Sequence, residues 1–337
     1  MQPEIQERMD NRRYEIEGRP DLIVYSQSSI KEFGICPKRY QFGVHYGEEV
    51  SDIIGAKANV RHGAILERMI LGDFDGKLGL VEDPDDHTKI EYSTGGGTLV
   101  GSIYPKTMRA LWSTALPIRM KYFKEDQLET NRQEKIVSVI DDSIREKLGM
   151  EKNGFVYGVG SELDFRGSHL IDLPPGAGRK NRLTYWIDEA IVDLKTTADV
   201  GYSMYGDDAF SKLERIQAAM YTMQVWIKYG KILPFVYSLV ETKKAGYEEL
   251  QKDVDAILKP YIFKVSLNTF KWLIGYIDAI HNATSFKMEA SPFNCLGVGN
   301  RGARCRFYLH CPGARNQIMN LAGEYEWDLM PDKPVYE

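Results

Sequence analysis

The 337-residue sequence has few cysteines, no long apolar segment and no excess of positive charge. Four cysteines are too few to crosslink a chain of this length, which excludes a disulfide-rich secreted scaffold. No apolar run approaches the roughly 18 residues that a membrane-spanning helix needs, and the polar residues 1–13 contain no secretory signal. The net charge of −5 argues against a surface coated with basic residues for nucleic-acid binding. We therefore expect a cytoplasmic protein with no membrane partner.

The composition is that of an ordinary globular protein with enough chain for a large core. Hydrophobic residues make up 43% of the sequence and charged residues 27%. We expect an N-terminal arm at residues 1–24, followed by a single α/β domain at residues 25–337. A helical pattern between Tyr104 and Leu148 predicts a helical insertion at about residues 100–150, in which Pro117 separates at least two helices.

Local patterns predict the other elements of this domain. Ser26 is an N-cap signal for a short helix, and the turn-rich stretch 72–101 predicts a loop. Two segments rich in β-branched and aromatic residues, 155–173 and 182–197, flank the turn-forming sequence PPGAGRKN and predict a long β-hairpin. A strand is expected at 232–242, and helices at 60–71, 209–229, 247–258 and 266–284.

The second hairpin segment ends in a carboxylate and an ammonium group that project from one face. Asp193 and Lys195 are two residues apart, and residues with this spacing lie on the same side of a strand. An isolated pair of this kind is usually a solvated ion pair. The alternative is a metal-dependent hydrolase centre, in which the aspartate binds Mg²⁺ or Mn²⁺ and the lysine stabilises charge on a phosphate.

Such a metal site needs a second acid from the neighbouring strand, and hairpin geometry can select it. Opposed residues of a hairpin are equally far from the centre of its turn. Asp164 and Asp193 are centred on position 178.5, inside the turn, whereas Asp172 or Asp188 would place the centre among apolar strand residues. We therefore predict Asp164, with Asp172 as the alternative if the hairpin contains a β-bulge. Glu162 shares the face of Asp164 and is a candidate assisting acid.

These residues resemble the PD-(D/E)XK nuclease superfamily, in particular its RecB-like, RecE-like and CRISPR-adaptation exonuclease branches. The similar segments are IVDLKTTAD, which contains Asp193 and Lys195, and QAAMY on the next predicted helix. The resemblance implies that Gln217 lies near the active site and that Tyr221 lies against DNA or the core. It implies a restriction-endonuclease-like core, in which helices flank a mixed central sheet with a long β-hairpin.

The same resemblance implies a metal ligand on a helix before the hairpin, in the pattern G-x-x-x-[H/E]. Gly63 to Glu67 matches this pattern, with Glu67 in the ligand position and His62 as the alternative. The implied function is a Mg²⁺- or Mn²⁺-dependent DNA exonuclease or end-processing nuclease in the recombination, repair or phage DNA metabolism of a prokaryotic or phage-infected cell. The implied metal ligands are Glu67, Asp164 and Asp193, with Lys195 and Gln217 completing the catalytic set.

The four cysteines resemble those of iron-sulfur nucleases of the AddB and CRISPR-adaptation types. Cys36 lies in SQSSIKEFGICPKRY, and the other three lie in the C-terminal segment 291–315. The five residues between Cys305 and Cys311 match the family, whereas the nine between Cys295 and Cys305 exceed the usual two and indicate an inserted loop. The resemblance implies a [4Fe–4S] cluster that joins the two ends of the chain as a staple, with zinc as the alternative.

Contact with DNA would be local, because the total charge is acidic. The sequence contains no P-loop, so unwinding would require a helicase or a recombination partner protein. Two rivals are a non-cleaving iron-sulfur DNA-binding or recombination scaffold and a metal-dependent hydrolase of RNA or nucleotides. The candidate DNA contacts are basic clusters and neighbouring aromatic residues: Lys38, Arg39 and Tyr40; Arg179, Lys180 and Arg182; Lys243 and Lys244; and Arg301, Arg304, Arg306, Phe307 and Tyr308.

Overall fold

The chain forms two compact units in a computed structural model. One unit consists of residues 1–55, 137–160 and 271–337, and the other of residues 56–136 and 161–270. The prediction of a single domain over residues 25–337 stays a prediction. The structure describes residues 16–46, 58–72, 90–93, 100–103, 105–173, 180–197, 209–241, 258–263, 265–283 and 311.

Helices and strands alternate along the described residues. The helices are α1 (Gln27–Ile35), α2 (Pro37–Tyr46), α3 (Ala58–Leu71), α4 (Pro105–Tyr122), α5 (Glu125–Asn131), α6 (Asp142–Lys147), α7 (Ala209–Tyr229) and α8 (Leu267–His281). The strands are β1 (Val24–Ser26), β2 (Ile90–Ser93), β3 (Val100–Ile103), β4 (Arg132–Ile140), β5 (Tyr157–Leu173), β6 (Leu183–Thr197), β7 (Phe235–Glu241) and β8 (Leu258–Phe263).

In the first unit, a capped helix follows a short parallel strand. β1 pairs with the start of β5, with Val24 opposite Gly158. The Ser26 hydroxyl accepts a hydrogen bond from the Ser29 amide at 3.3 Å, and the Ser29 hydroxyl accepts one from the Ser26 amide at 3.1 Å. This reciprocal pair satisfies two amides at the start of α1, as the sequence pattern predicts.

The second unit is built on a mixed sheet. β5 and β6 form the predicted antiparallel hairpin, β6 pairs in parallel with β7, and β7 pairs antiparallel with β8. One face of this sheet packs against α3 and α4, through apolar side chains that include Ile65, Leu66 and Leu111. Val192 and Leu194 of β6 enter the same core. The intervening Asp193 therefore points to the opposite face, because strand side chains alternate.

The region predicted as a helical insertion is partly strand, which corrects that prediction. β4 replaces the expected helix around Ile136 and Ile140, and its buried positions alternate with less buried ones. Four β-branched apolar residues within five positions fit a strand as well as a helix, so the sequence pattern was ambiguous there. Pro117 lies inside α4 and does not separate two helices. The turn-rich stretch 72–101 contains β2, which pairs with β3.

The remaining predicted elements divide into those that form and one that is outside the described residues. α7 spans the predicted 209–229, and Gly230 ends it with a positive φ of 72° that a residue with a Cβ rarely adopts. The expected strand forms as β7. Most of the helix predicted at 247–258 lies outside the described residues, and β8 begins at Leu258. Among the helices that the structure describes, none has the length and apolar character required to cross a membrane.

Candidate active site

The hairpin register places Asp164 beside Asp193. Phe165 is opposite Val192, and the next position along each strand is Asp164 on β5 and Asp193 on β6. The Asp164 carboxylate accepts a hydrogen bond from the Leu194 amide at 2.9 Å, so it is held against the backbone of β6. This is the pairing that the sequence predicts, and a bulge between Gly167 and His169 contributes to it.

Asp193 is the buried centre of the site, with only 1% of its surface exposed. Its Oδ1 accepts a hydrogen bond from Gln217 Nε2 at 2.5 Å, and Lys195 Nζ lies 2.6 Å from its Oδ2. Gln217 is itself buried on α7. Helix α7 therefore fixes one carboxylate oxygen of Asp193, and the lysine two residues further along β6 lies at the other.

Glu67 reaches the same cluster from α3, one helical turn after a glycine that contacts β6. A Cβ atom at Gly63 would lie 2.1 Å from Thr196 Oγ1, far inside van der Waals contact. A larger residue at this position would therefore push α3 away from the end of β6. Gly63 lets the helix approach closely enough for the Glu67 carboxylate to interact electrostatically with Asp164, Asp193 and Lys195.

The electrostatics of the cluster are dominated by three acids that share one lysine. Burial raises the pKa of Glu67 to about 7, and the charge of Asp193 adds to this effect while Lys195 opposes it. Burial also raises the pKa of Asp164 well above its usual range, together with the charges of Glu67 and Asp193. Burial lowers the pKa of Lys195, but the charges of the three carboxylates outweigh it and raise that pKa overall. Like charges held this close favour a bound cation or proton.

The alternative residues lie elsewhere or outside the described residues. Asp172 is opposite Thr184, eight positions along β5 from Asp164, where it binds Arg182 and Lys121. His62 lies in α3, and its side chain is outside the described residues. Glu162 lies on the face of Asp164 and forms an ion pair with Arg68 at 3.9 Å.

Two tyrosines contribute to the site, one of which the sequence did not indicate. Tyr237 on β7 is directly beside Asp193 in the parallel pairing, and its buried hydroxyl donates to Gln217 Oε1 at 3.4 Å. Because sequence patterns do not give the register of a parallel strand pair, no signal pointed to this residue. Tyr221 is buried on α7, and its pKa is raised by burial and by the charges of Asp193 and Asp164.

The three carboxylates are of the ligand type that binds a divalent metal, but their side chains are not positioned to hold one. Carboxylate oxygens are the ligands that Mg²⁺ and Mn²⁺ prefer, and burial together with the charges of neighbouring acids raises the pKa of Glu67 and of Asp164. In the part of the chain that the structure describes, no three His, Cys, Asp or Glu side chains are arranged to hold a metal ion. Lys195 lies at the Asp193 oxygen that a metal would also use.

Only two of the four cysteines belong to the described residues. Cys36 follows α1 and is partly buried, Cys311 is buried, and neither forms a disulfide. Cys295 and Cys305 lie outside the described residues, as does the C-terminal segment 291–315 except for Cys311. The predicted cysteine cluster therefore stays a prediction.

Comparisons with known proteins add little to this geometry. No protein-family model matches the chain, and no curated protein matches it. The crystal structure of a "putative exonuclease" from Eubacterium rectale is similar at 14% sequence identity, with a TM-score of 0.38 over 92% of this chain and 98% of that chain. At this identity and TM-score, the likeness carries no argument about the fold or the function of the chain.

Proposed function

We propose that this protein is a metal-dependent nuclease of the PD-(D/E)XK type that hydrolyses DNA phosphodiester bonds, as an exonuclease or end-processing enzyme. One observation carries the proposal: Glu67 from a helix and Asp164 and Lys195 from two strands converge on the buried Asp193, where burial and neighbouring negative charge raise the pKa of Glu67 and of Asp164. A purely structural ion pair would not need two further carboxylates beside it.

Each residue of the cluster would have a distinct role. Glu67, Asp164 and Asp193 would hold Mg²⁺ or Mn²⁺, which when bound acts as a Lewis acid at the phosphate and lowers the pKa of a water molecule. Lys195 remains protonated, because the pKa of its amino group is raised, and it therefore stabilises negative charge on the phosphate. Gln217 orients Asp193 through Oδ1 and leaves Oδ2 accessible to Lys195.

The test is degradation of end-labelled DNA with Mg²⁺ or Mn²⁺, resolved to single nucleotides. We expect Lys195→Ala to lower the rate by on the order of 10²- to 10⁴-fold. Lys152→Ala is the matched control. Lys152 is an exposed lysine that pairs with Glu146, and both residues belong to the unit that does not contain Lys195. Equal degradation by wild type and Lys195→Ala would contradict the mechanism. Absence of degradation in wild type would favour the non-cleaving scaffold, and preference for RNA or nucleotides would favour the other hydrolase.

We also propose that Cys36, Cys295, Cys305 and Cys311 hold a [4Fe–4S] cluster. Two thiols that are not in disulfides, one of them buried, are compatible with metal ligation. Anaerobic purification should give a brown protein that contains iron and acid-labile sulfide, and Cys311→Ser should lose both. A colourless protein with stoichiometric zinc would contradict the iron-sulfur assignment. Cytoplasmic location and a helicase or recombination partner complete the proposal.

A further inference from the structure

The part of β6 nearest the hairpin turn is exposed on both of its faces. Residues 181–186 are exposed without interruption, whereas residues 168–172 of the paired strand β5 are buried. Residues 190–194 of β6 itself are buried as well. Because side chains alternate between the two faces of a strand, uninterrupted exposure means that both faces of this segment are open to solvent.

The same segment lies at an edge of the sheet. In the part of the chain that the structure describes, β7 is the strand beside β6 on the side away from β5, and it pairs with β6 only from Ile191 onward. The chain that leads into β7 reaches β6 at Glu189, where Lys231 binds the carboxylate at 2.8 Å. No described strand pairs with residues 183–188 on this side. We call residues 183–188 the β6 edge.

Alternate backbone groups of the β6 edge point away from the hairpin. The Gly158 amide of β5 donates to the Ile23 carbonyl beside β1, which lies on the side of β5 away from β6. Since backbone groups alternate in direction along a strand, the odd-numbered residues of β5 face β6. Ile171 is therefore hydrogen-bonded across the hairpin to Tyr185, which it opposes. The two neighbours of Tyr185 consequently direct their amide and carbonyl groups outward. These neighbours are Thr184 and Trp186.

The β6 edge also carries a concentration of exposed apolar side chains. Nine large hydrophobic side chains are exposed among the described residues, and three of them lie within four positions of this edge: Leu183 at 44%, Tyr185 at 38% and Trp186 at 42%. Proteins usually protect an unpaired edge with charged side chains, proline or a bulge. An edge that presents apolar side chains beside outward backbone groups is instead a template for one more strand.

The charges at the two ends of the β6 edge make it complementary to a second copy of itself. Lys180 precedes the edge, Asp188 ends it, and both side chains are exposed. The two residues are equally far from Thr184, at four positions on either side. An antiparallel pairing of two copies centred on Thr184 therefore brings Lys180 of each copy to Asp188 of the other. The same pairing places Leu183 opposite Tyr185, so that apolar side chains meet inside the two ion pairs.

We propose that two copies of this chain associate through the β6 edge, in an antiparallel pairing centred on Thr184 that continues the sheet of one copy into the other. The order of charges selects a second copy as the partner, because an antiparallel copy presents an acid wherever the edge presents a cation. The interface is small, since only six residues of each copy pair. We therefore expect a reversible dimer with a dissociation constant on the order of 10 µM. The inference does not depend on the proposed nuclease function.

The test is sedimentation velocity of the full chain in a reducing buffer, at concentrations from about 1 to 200 µM that bracket the expected constant. Wild type should change from monomer to dimer over this range. Leu183→Lys and Asp188→Lys should each weaken dimerisation at least about tenfold, because the first removes an apolar contact and the second opposes like charges. Leu267→Lys is the matched control, because Leu267 is similarly exposed, at 40%, but lies at the start of α8. Thermal denaturation checks that each variant is folded.

Amide hydrogen exchange tests the pairing itself. The amides of Thr184 and Trp186 should exchange more slowly in concentrated than in dilute protein, because the second copy accepts their hydrogen bonds. The Tyr185 amide should exchange at the same rate in both, because it is bonded within the hairpin. A monomer at every concentration overturns the proposal, as expected if the β6 edge binds a different protein or none. A dimer that neither Leu183→Lys nor Asp188→Lys weakens also overturns it, because another surface would then hold the two copies together.

Discussion

Two aspartates on the same face of β5 illustrate how the surroundings of a carboxylate distinguish a chemical role from a structural one. Asp164 lies beside two other acids and one lysine, and its pKa is raised by burial and by their charges. Asp172, eight residues further along, binds Arg182, Lys121 and Thr184, and hydrogen bonds from Arg182 and Lys121 lower its pKa. The first site accumulates negative charge that a metal ion would neutralise, whereas the second is already neutralised by side chains of the chain itself.

The largest expected effects come from replacing each aspartate by asparagine. One replacement should lower activity and keep stability, and the other should keep activity and lower stability. Asp164→Asn should lower DNA hydrolysis by on the order of 10²-fold or more, because it removes a proposed metal ligand. It should leave the metal-free protein as stable as wild type or more stable, because it removes like-charge repulsion. Asp172→Asn should remain active and lose about 1 to 2 kcal/mol of unfolding free energy, because two partly exposed cations lose their carboxylate.

Chemical denaturation and the end-labelled DNA assay, carried out on both variants, distinguish the two roles. A stability loss in Asp164→Asn larger than that in Asp172→Asn would contradict the assignment of Asp164 to the chemistry. Loss of hydrolysis in Asp172→Asn alone would exchange the roles of the two residues and restore Asp172 as the metal-binding acid.

The contact of Gly63 with Thr196 sharpens the comparison, because it affects only the end of the hairpin near Asp164. Gly63→Ala should cost about 1 to 3 kcal/mol of unfolding free energy through overpacking and should reduce hydrolysis by displacing Glu67. Thr196→Ala in the same chain removes the oxygen at 2.1 Å and should recover part of both losses. If the double variant is no better than Gly63→Ala, the close approach of α3 and β6 is not what positions Glu67.

A buried histidine between the two aspartates provides a pH test that is independent of the acids. Burial lowers the pKa of His169 to about 3, and its Nε2 lies 2.8 Å from Ser238 Oγ. In the unfolded chain the histidine pKa is near 6.5. The contribution of neutral His169 to the free energy of unfolding is therefore complete above that pH, and it decreases as the pH falls toward 3. The expected loss is about 2 kcal/mol at pH 5.

His169→Gln removes this titration and can retain the hydrogen bond to Ser238. Urea denaturation between pH 7 and pH 4.5 should therefore give a shallower decline for His169→Gln than for wild type. Parallel declines for the two proteins would show that His169 is not neutral and buried in the folded state.

The smallest expected effect concerns Tyr237, whose hydroxyl determines which way the Gln217 amide points. Tyr237→Phe should reduce hydrolysis by about fivefold, the worth of roughly 1 kcal/mol for one neutral hydrogen bond. In a Gln217→Ala background the same change should have no effect on hydrolysis, because the amide that it orients is gone. Tyr157→Phe is the control. It removes a buried hydroxyl that donates to Asp278, both residues belong to the unit without Asp193, and the change should affect stability only. Additive losses in the double variant would indicate a general packing role.

Sequence patterns predicted the parts of the fold that depend on local chemistry. The hairpin, α1 with its Ser26 cap and the full extent of α7 follow from turn residues, capping residues and apolar spacing. The sequence also predicts the pairing of Asp164 with Asp193, although the pairs near the turn are centred on position 178 and only those beyond the bulge on 178.5. Without the bulge, the register near the turn would place Asp164 opposite Val192, so the extra residue of β6 brings the two aspartates together.

The features that sequence patterns did not predict depend on contacts between distant segments. The sequence predicts a helix where β4 forms, because the apolar residues fit the helical period of 3.6 as well as the strand period of 2. Only the alternating burial in the folded protein distinguishes the two. Tyr237 reaches Asp193 only through the parallel pairing of β6 with β7, which no local signal encodes. The binding of Lys121 to Asp172 likewise joins residues 51 positions apart.

The most direct test of the central claim is the rate of Mn²⁺-dependent hydrolysis of end-labelled DNA by Asp193→Asn, measured in parallel with Asp172→Asn. Asp193 lies at the centre of the acidic cluster. Its Oδ1 accepts a hydrogen bond from Gln217, and its Oδ2 forms an ion pair with Lys195. We predict that Asp193→Asn loses hydrolysis by at least about 10²-fold while remaining folded, and that Asp172→Asn still degrades the DNA. Hydrolysis by Asp193→Asn at the wild-type rate would contradict the claim that this cluster is a phosphodiesterase site.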